Sequence, residues 1–201
     1  MVKTFIHALI LLVLLAGCSN HKENPDKGKA PNKTNNKDNS LVEYFSKDSS
    51  YSISFPEDWQ VKKGRQSFQL MALTPLADSS DKFREDIIVF REKFPKDVKD
   101  LDGYIDYTKK KISKLLKDYK EGKSGKANIN GLKGRWFEYS FTLNKNIKNK
   151  CLAYVYDKDK NAYVVLASAL DTTYDSFKPL FERIDSTFIL NRKYQLRQSK
   201  R

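Results

Sequence analysis

One thiol, one pair of adjacent carboxylates and a crowd of lysines are the groups of this chain that could do chemistry. Cys18 closes the stretch Leu15-Ala16-Gly17-Cys18, directly after the apolar run Ala8 to Leu15. That pattern resembles a bacterial lipobox, in which the cysteine thiol is acylated and becomes the first residue of the mature chain. The apolar run falls short of the ~20 residues that a permanent span needs, and small residues follow it as at a cleavage site. Glu57 and Asp58, inside "YSISFPEDWQV", are adjacent acids of the kind that could share acid–base work. Lys109, Lys110, Lys111, Lys114, Lys117, Lys120, Lys123 and Lys126 crowd one short segment, opposed only by Asp118 and Glu121. Such a run attracts anionic headgroups at close range.

What is missing narrows the chemistry further. Both histidines, His7 and His21, lie ahead of residue 40. The segment that follows therefore has no Ser-His or Cys-His pair and no His-based zinc site. Once Cys18 is acylated, Cys151 is the only thiol left, so an intrachain disulfide is excluded. Cys151 sits in an apolar strand pattern and reads as a small buried hydrophobe rather than a reactive thiol. No Gly-rich phosphate loop, nucleophile elbow or metal signature occurs. The sequence predicts neither an enzyme nor a cofactor or metal.

The formal charge is +13, and removal of residues 1–17 takes away only Lys3, leaving +12. Lysine outnumbers arginine thirty to eight, which fits a compositional bias of the genome as well as a selected basic surface. Nucleic acid is not expected as a partner, because no recognition motif of that class is present. From Ser19 to about Ser40 the chain is rich in Asn, Lys, Asp, Pro and Gly without a large apolar residue. It cannot bury enough surface to offset its ordering entropy and is expected to be a disordered tether. The organisation expected is a signal peptide over 1–17, a lipidated cysteine and tether over 18–40, one domain over 41–190, and a loose basic tail over 191–201. The protein would sit in a bacterial envelope. It would occupy the periplasmic side of the outer membrane in a Gram-negative host, or the outer face of the cell membrane in a Gram-positive one.

The elements that must position these groups follow from periodicity. Val42 to Phe45 and Tyr51 to Phe55 read as a hairpin around a Ser-Lys-Asp-Ser-Ser turn. Pro56 cannot donate to a ladder, so Phe55 to Trp59 reads as a turn with Glu57 and Asp58 exposed and the two aromatics pinning it. On that reading the acids are turn residues and not a catalytic pair. Phe68 to Thr74 and Glu85 to Phe90 are further strands. Leu101, Ile105, Thr108, Ile112, Leu115 and Tyr119 recur at helical spacing behind the cap Asp100. The lysine run would then form a basic outer helix face, with Lys109, Lys110, Lys114, Lys117 and Lys120 as its anion-binding candidates. Gly122 and Gly125 break that pattern, and Ala127 to Leu132 reads as a tight turn, with Asn130-Gly131 suited to positive φ. Strands are expected over Arg135 to Leu143, Lys150 to Asp157 and Ala162 to Ala169. A helix opening at Thr172 or Thr173 and a short strand over Ser186 to Leu190 complete the domain. Strands, helix, strands, helix, with hairpins dominating, predicts an α+β domain: an antiparallel sheet with helices packed on it.

"YSISFPEDWQV", the turn "INGLKG" leading into "RWFEYSF", and "AYVVLASA" ahead of a helix ending "FERIDSTF" occur in that order. Across about Glu43 to Leu190 the chain resembles the PsbP/DcrB-like family. The resemblance implies a three-layer α/β/α sandwich, an antiparallel sheet between helices. It implies a protein that works by binding rather than catalysis, in a family many of whose bacterial members are exported or lipoproteins. No motif carries individual binding residues over. Two functions are therefore expected in competition. One is a lipid-anchored adaptor for an envelope protein, held to the membrane through Cys18. The other is a binder of anionic lipid or a small ligand through the lysine face.

Overall fold

Two antiparallel sheets and two helices make up the computed structural model, which describes residues 40–64, 68–76, 78–79, 83–143 and 147–190. The expected signal peptide and tail, and all of the tether except Ser40, lie outside the described residues. The first sheet begins as the sequence predicts. Strand β1 (Leu41–Phe45) pairs antiparallel with β2 (Tyr51–Pro56), Val42 opposite Phe55. The turn between them is held by Asp48, whose carboxylate accepts from the Ser46 hydroxyl at 2.9 Å and from the Ser50 amide at 3.0 Å.

The Phe55 to Trp59 turn closes with the Trp59 amide donating to the Pro56 carbonyl at 3.0 Å. Phe55 and Trp59 are buried and both belong to one apolar cluster, while Glu57 and Asp58 are exposed. This turn is also a corner. Strand β3 (Gln60–Lys63) leaves it to join a second sheet, with Val61 opposite Ala72 of β4 (Leu70–Leu73). The single sheet expected from the sequence is therefore two. The smaller has the order β1-β2-β10, closed by β10 (Ile189–Leu190), with Ile189 opposite Ser52.

The larger sheet has seven strands in the order β3-β4-β5-β9-β8-β7-β6. After β5 (Asp86–Lys93) the chain crosses the sheet as helix α1 (Leu101–Leu115). It returns by a meander of β6 (Lys120–Ile129), β7 (Leu132–Thr142), β8 (Lys148–Lys158) and β9 (Asn161–Leu170). Two-residue turns join β6 to β7 and β8 to β9: Asn130 and Gly131 have φ of 50° and 79°, Asp159 and Lys160 have 53° and 59°. Both are the mirror-image turns that suit the twist of a hairpin.

Each face of the larger sheet carries its own apolar cluster. One contains Ile88, Phe90, Phe137, Val164 and Leu166 with Tyr104, Ile105 and Ile112 of α1. The other contains Ile87, Val89, Val165 and Ala167 with Phe181 and Ile184 of helix α2 (Tyr174–Asp185) and Tyr51, Ile53 and Phe55 of the small sheet. Alternate residues of one strand thus serve opposite faces, as the two-residue strand repeat requires.

Helix α1 departs from the sequence reading at its C-terminal end. Asp100 caps it, its carboxylate accepting from the Gly103 amide at 2.8 Å. It stops at Leu115, however, with Leu116 extended and Asp118 at φ 54°. Residues 120–129, read from sequence as the end of a helix, its breakers and the start of a turn, form a sheet-edge strand. Gly125 allows this, because a Cβ there would sit 2.8 Å from the Trp136 indole nitrogen. The tryptophan lies over the bare backbone of its neighbour strand.

Candidate functional site

Strand β6 and the C-terminal half of α1 distribute the lysines that the sequence singles out. Lys109, Lys110 and Lys114 stand on α1, Lys117 lies in the turn after it, and Lys120 opens β6. The five do not form one helix face. Asp102, Asp106, Lys110 and Lys114 recur every fourth residue and are exposed, so the outer stripe of α1 is acidic at its start and basic at its end. Lys109 has a different role. Its Nζ reaches Glu121 Oε2 at 2.9 Å and lies 5.5 Å from the centre of the Phe137 ring. It ties the helix to the sheet. Lys110, Lys114, Lys117 and Lys120 are exposed and have no acidic partner within ion-pair distance among the described residues.

A groove of about 330 Å³ runs between α1 and the outer strands, walled by Asp102, Asp106 and Lys109 on one side and Ser124, Lys126 and Arg135 on the other. Arg135 spans it, its Nε 2.7 Å and its second amino nitrogen 2.9 Å from the two Asp102 oxygens. Such a two-point pair fixes orientation as well as charge. Outside it, Lys123, Lys126 and Lys133 are exposed and make no ion pair among the described residues. With Lys120 they make the outer edge of the sheet mostly basic, with Glu121 as its one acid among the described residues.

The buried carboxylates do another job, one that sequence reasoning missed. The Thr173 hydroxyl donates to Glu85 at 2.7 Å and the Tyr174 hydroxyl to Glu138 at 3.0 Å, both at the start of α2. At its end, the Tyr156 hydroxyl donates to Asp185 at 2.6 Å. Helix α2 is thus clamped to the larger sheet at both ends by hydroxyl–carboxylate bonds. Lys178 adds a third tie, 3.2 Å from Glu138 and 2.7 Å from Glu182, its ammonium 5.5 Å from the Trp136 ring centre. Burial works against that charge, but the hydrogen bonds to Glu182 and Glu138 outweigh it and raise the Lys178 pKa. Burial pushes the Asp185 carboxyl up to about 7, with the Tyr156 bond opposing it. The signal for these clamps was a lone acid in an apolar strand, Glu138 in "RWFEYSF".

A second polar row crosses the opposite face. Asp86 stands opposite Ser168, Ser168 opposite Cys151, and Cys151 opposite Tyr139. The Asn149 amide donates to the Ser168 hydroxyl at 2.9 Å. Burial, and then the nearby Glu85, hold the Asp86 carboxyl well above its ordinary range. Burial also pushes the Cys151 thiol up to about 12, so it is a thiol and not a nucleophilic thiolate, as its strand pattern predicts. Among the described residues, no three His, Cys, Asp or Glu side chains stand close enough to hold a metal. No described helix is long and apolar enough to cross a membrane. Cys18 lies outside the described residues.

No family model matches the sequence, and no curated protein matches it at a significant level. Solved structures do share its architecture. The PsbP protein CyanoP of Synechocystis sp. PCC 6803 superposes with a TM-score of 0.57 at 18% identity, covering 82% of this chain and 100% of that one. LpqN of Mycobacterium tuberculosis, described as involved in cell envelope biogenesis, gives 0.56 at 17%, covering 81% and 99%. The Saccharomyces cerevisiae Ran-binding protein Mog1p gives 0.55 at 11%, covering 75% and 95%. At these identities the likeness is one of fold, and the fold is PsbP-like.

Proposed function

We propose that this chain is a non-catalytic binding module of the bacterial envelope, held to the membrane by acylated Cys18 and layered as an α/β/α sandwich. The observation that carries the reading is the division of charge. Three of the buried acids, Glu85, Glu138 and Asp185, are committed to clamping α2. The unpaired charge stands outside, on Lys110, Lys114, Lys117, Lys120, Lys123 and Lys126. A molecule so arranged is built to be touched rather than to turn over a substrate. Neighbours in fold that are described as Ran-binding and as involved in envelope biogenesis support the same direction. The tether would raise the local concentration of the domain near a membrane partner without any added contact. Crosslinking in the native host, comparing the intact chain with Cys18→Ser, tests the reading. Repeated recovery of one envelope protein, reduced by the substitution, is the expected result. No reproducible neighbour would defeat it.

The exposure of Lys110, Lys114, Lys117 and Lys120 favours a second reading, binding of anionic lipid at the membrane surface. Each lysine near such a surface is worth up to about 1 kcal/mol. Vesicle binding that falls steeply with salt is its signature.

A further inference from the structure

The geometry points to the free edge of β6 as a docking strand for an extended acidic segment of another protein. The inference rests on the binding-module reading and names its surface. Among the described residues β6 ends the seven-stranded order, paired on one side only, with β7. The two-residue turn at Asn130 and Gly131 makes Ile129 and Leu132 a hydrogen-bonded pair. Strand alternation then turns the amides and carbonyls of Ser124, Lys126 and Asn128 away from β7, toward the free edge. A register shift between Glu121 and Ser124 ends the regular stretch on one side, and the turn ends it on the other. What remains, Ser124 to Ile129, has no proline and is long enough to take a pairing strand.

Charge selects the occupant. Lys120, Lys123 and Lys126 lie along this edge, and Lys133 stands opposite Asn128 one strand further in. A second copy of the chain is disfavoured. Antiparallel pairing of two such edges centred on Lys126 would set that lysine against its own equivalent, and like charges directly opposite destabilise a strand pair. Edge lysines are a common guard against such self-pairing. The same lysines attract a strand whose alternate side chains are acidic. Its inward-facing residues would meet Ser124 and Lys126 at the mouth of the groove beside α1, and Asn128 beyond it.

The test titrates the full chain with three capped peptides. One alternates glutamate with valine, one is the same peptide N-methylated on alternate amides in both phases, and one has lysine in place of glutamate. Binding of the first alone is expected, with protection of the Ser124, Lys126 and Asn128 amides from hydrogen exchange. Lys126→Glu should weaken it about tenfold, since an attractive cross-strand pair becomes a repulsive one. Ser124→Pro removes an outward donor and leaves every lysine in place, so it too should weaken binding. Should that variant fail to fold, the N-methylated peptide probes the same backbone bonds from the other side. Equal binding of the N-methylated peptide overturns the inference, as does failure of all three peptides. Lysine-dependent binding to phosphatidylglycerol vesicles without amide protection also overturns it, in favour of the membrane. Native crosslinks that recover a partner through other residues would overturn this surface alone and leave the binding-module reading intact.

Discussion

The Tyr156 hydroxyl donates to Asp185 across 2.6 Å, joining the last residue of α2 to a central strand of the larger sheet. The other Asp185 oxygen is buried without a partner among the described residues, and its carboxyl is raised from 3.8 to about 7 by burial. The folded chain therefore holds a proton there, between these two values, that the unfolded chain has released. Stability contributed by this group is full below pH ~4, falls as pH rises toward 7, and is lost above it. The amplitude is at most about 4 kcal/mol from the size of the shift. Chemical denaturation across pH 4 to 8 checks the slope. Asp185→Asn should flatten it and raise stability at pH 8, leaving a residual slope of the same sign from Asp86.

The start of α2 offers a graded comparison. Tyr174→Phe removes one donor from Glu138, which Lys178 still holds, and should cost about 1 kcal/mol. Glu138→Ala strands the buried Tyr174 hydroxyl and leaves Lys178 only Glu182, and should cost about 2–3 kcal/mol. Urea denaturation of the two variants gives the order, and equal losses would mean that Lys178 does not hold Glu138.

Gly125→Ala should displace the Trp136 ring, whose atoms come within 2.8 Å of the added carbon. A shift in tryptophan emission and a lowered unfolding midpoint are expected. In a Trp136→Ala background the same substitution should cost little beyond what the first has already removed, because the clash partner is gone.

Cys151 should resist alkylation in the folded protein. With its thiol pushed up to about 12, only about one molecule in ten thousand is thiolate at pH 8, and the side chain is fully buried. Labelling should appear only with denaturant, along the unfolding curve.

Lys109→Ala should lower stability slightly without weakening binding to anionic vesicles, since its ammonium is engaged with Glu121 and Phe137. Lys110→Ala with Lys114→Ala should do the reverse. Unfolding midpoints and vesicle co-sedimentation on the same samples separate the two.

Local signals carried much of the fold. The Asp100 cap, the Asn130-Gly131 turn and the aromatic-pinned turn at Pro56 are each legible from a few adjacent residues. Strand β6 was not, because lysine and glycine have little strand preference of their own. The reason for Gly125 sits on the partner strand, in Trp136. The second sheet was hidden for a related cause: β10 finds β2 from the opposite end of the domain. At the site, the lysines could be named from sequence, but their separation onto helix, turn and strand depends on where α1 stops. The clamps needed the fold as well, since Asp185 and Tyr156 lie on elements whose docking no local pattern records.

The pairing of β5 with β9, Asp86 opposite Ser168, also sets a kinetic problem. The meander β6 to β9 is assembled from neighbours in sequence and can zip quickly. The seam that joins it to β3, β4 and β5 closes only across a long loop, and loop closure of that kind slows folding. Until β9 arrives, Ile87 to Phe90 have β4 on one side and an open edge on the other, on a strand that is apolar on both faces. During that interval the nascent domain is most exposed to aggregation. Substitutions that speed the meander would shorten it, whereas those that only tighten the finished seam would not.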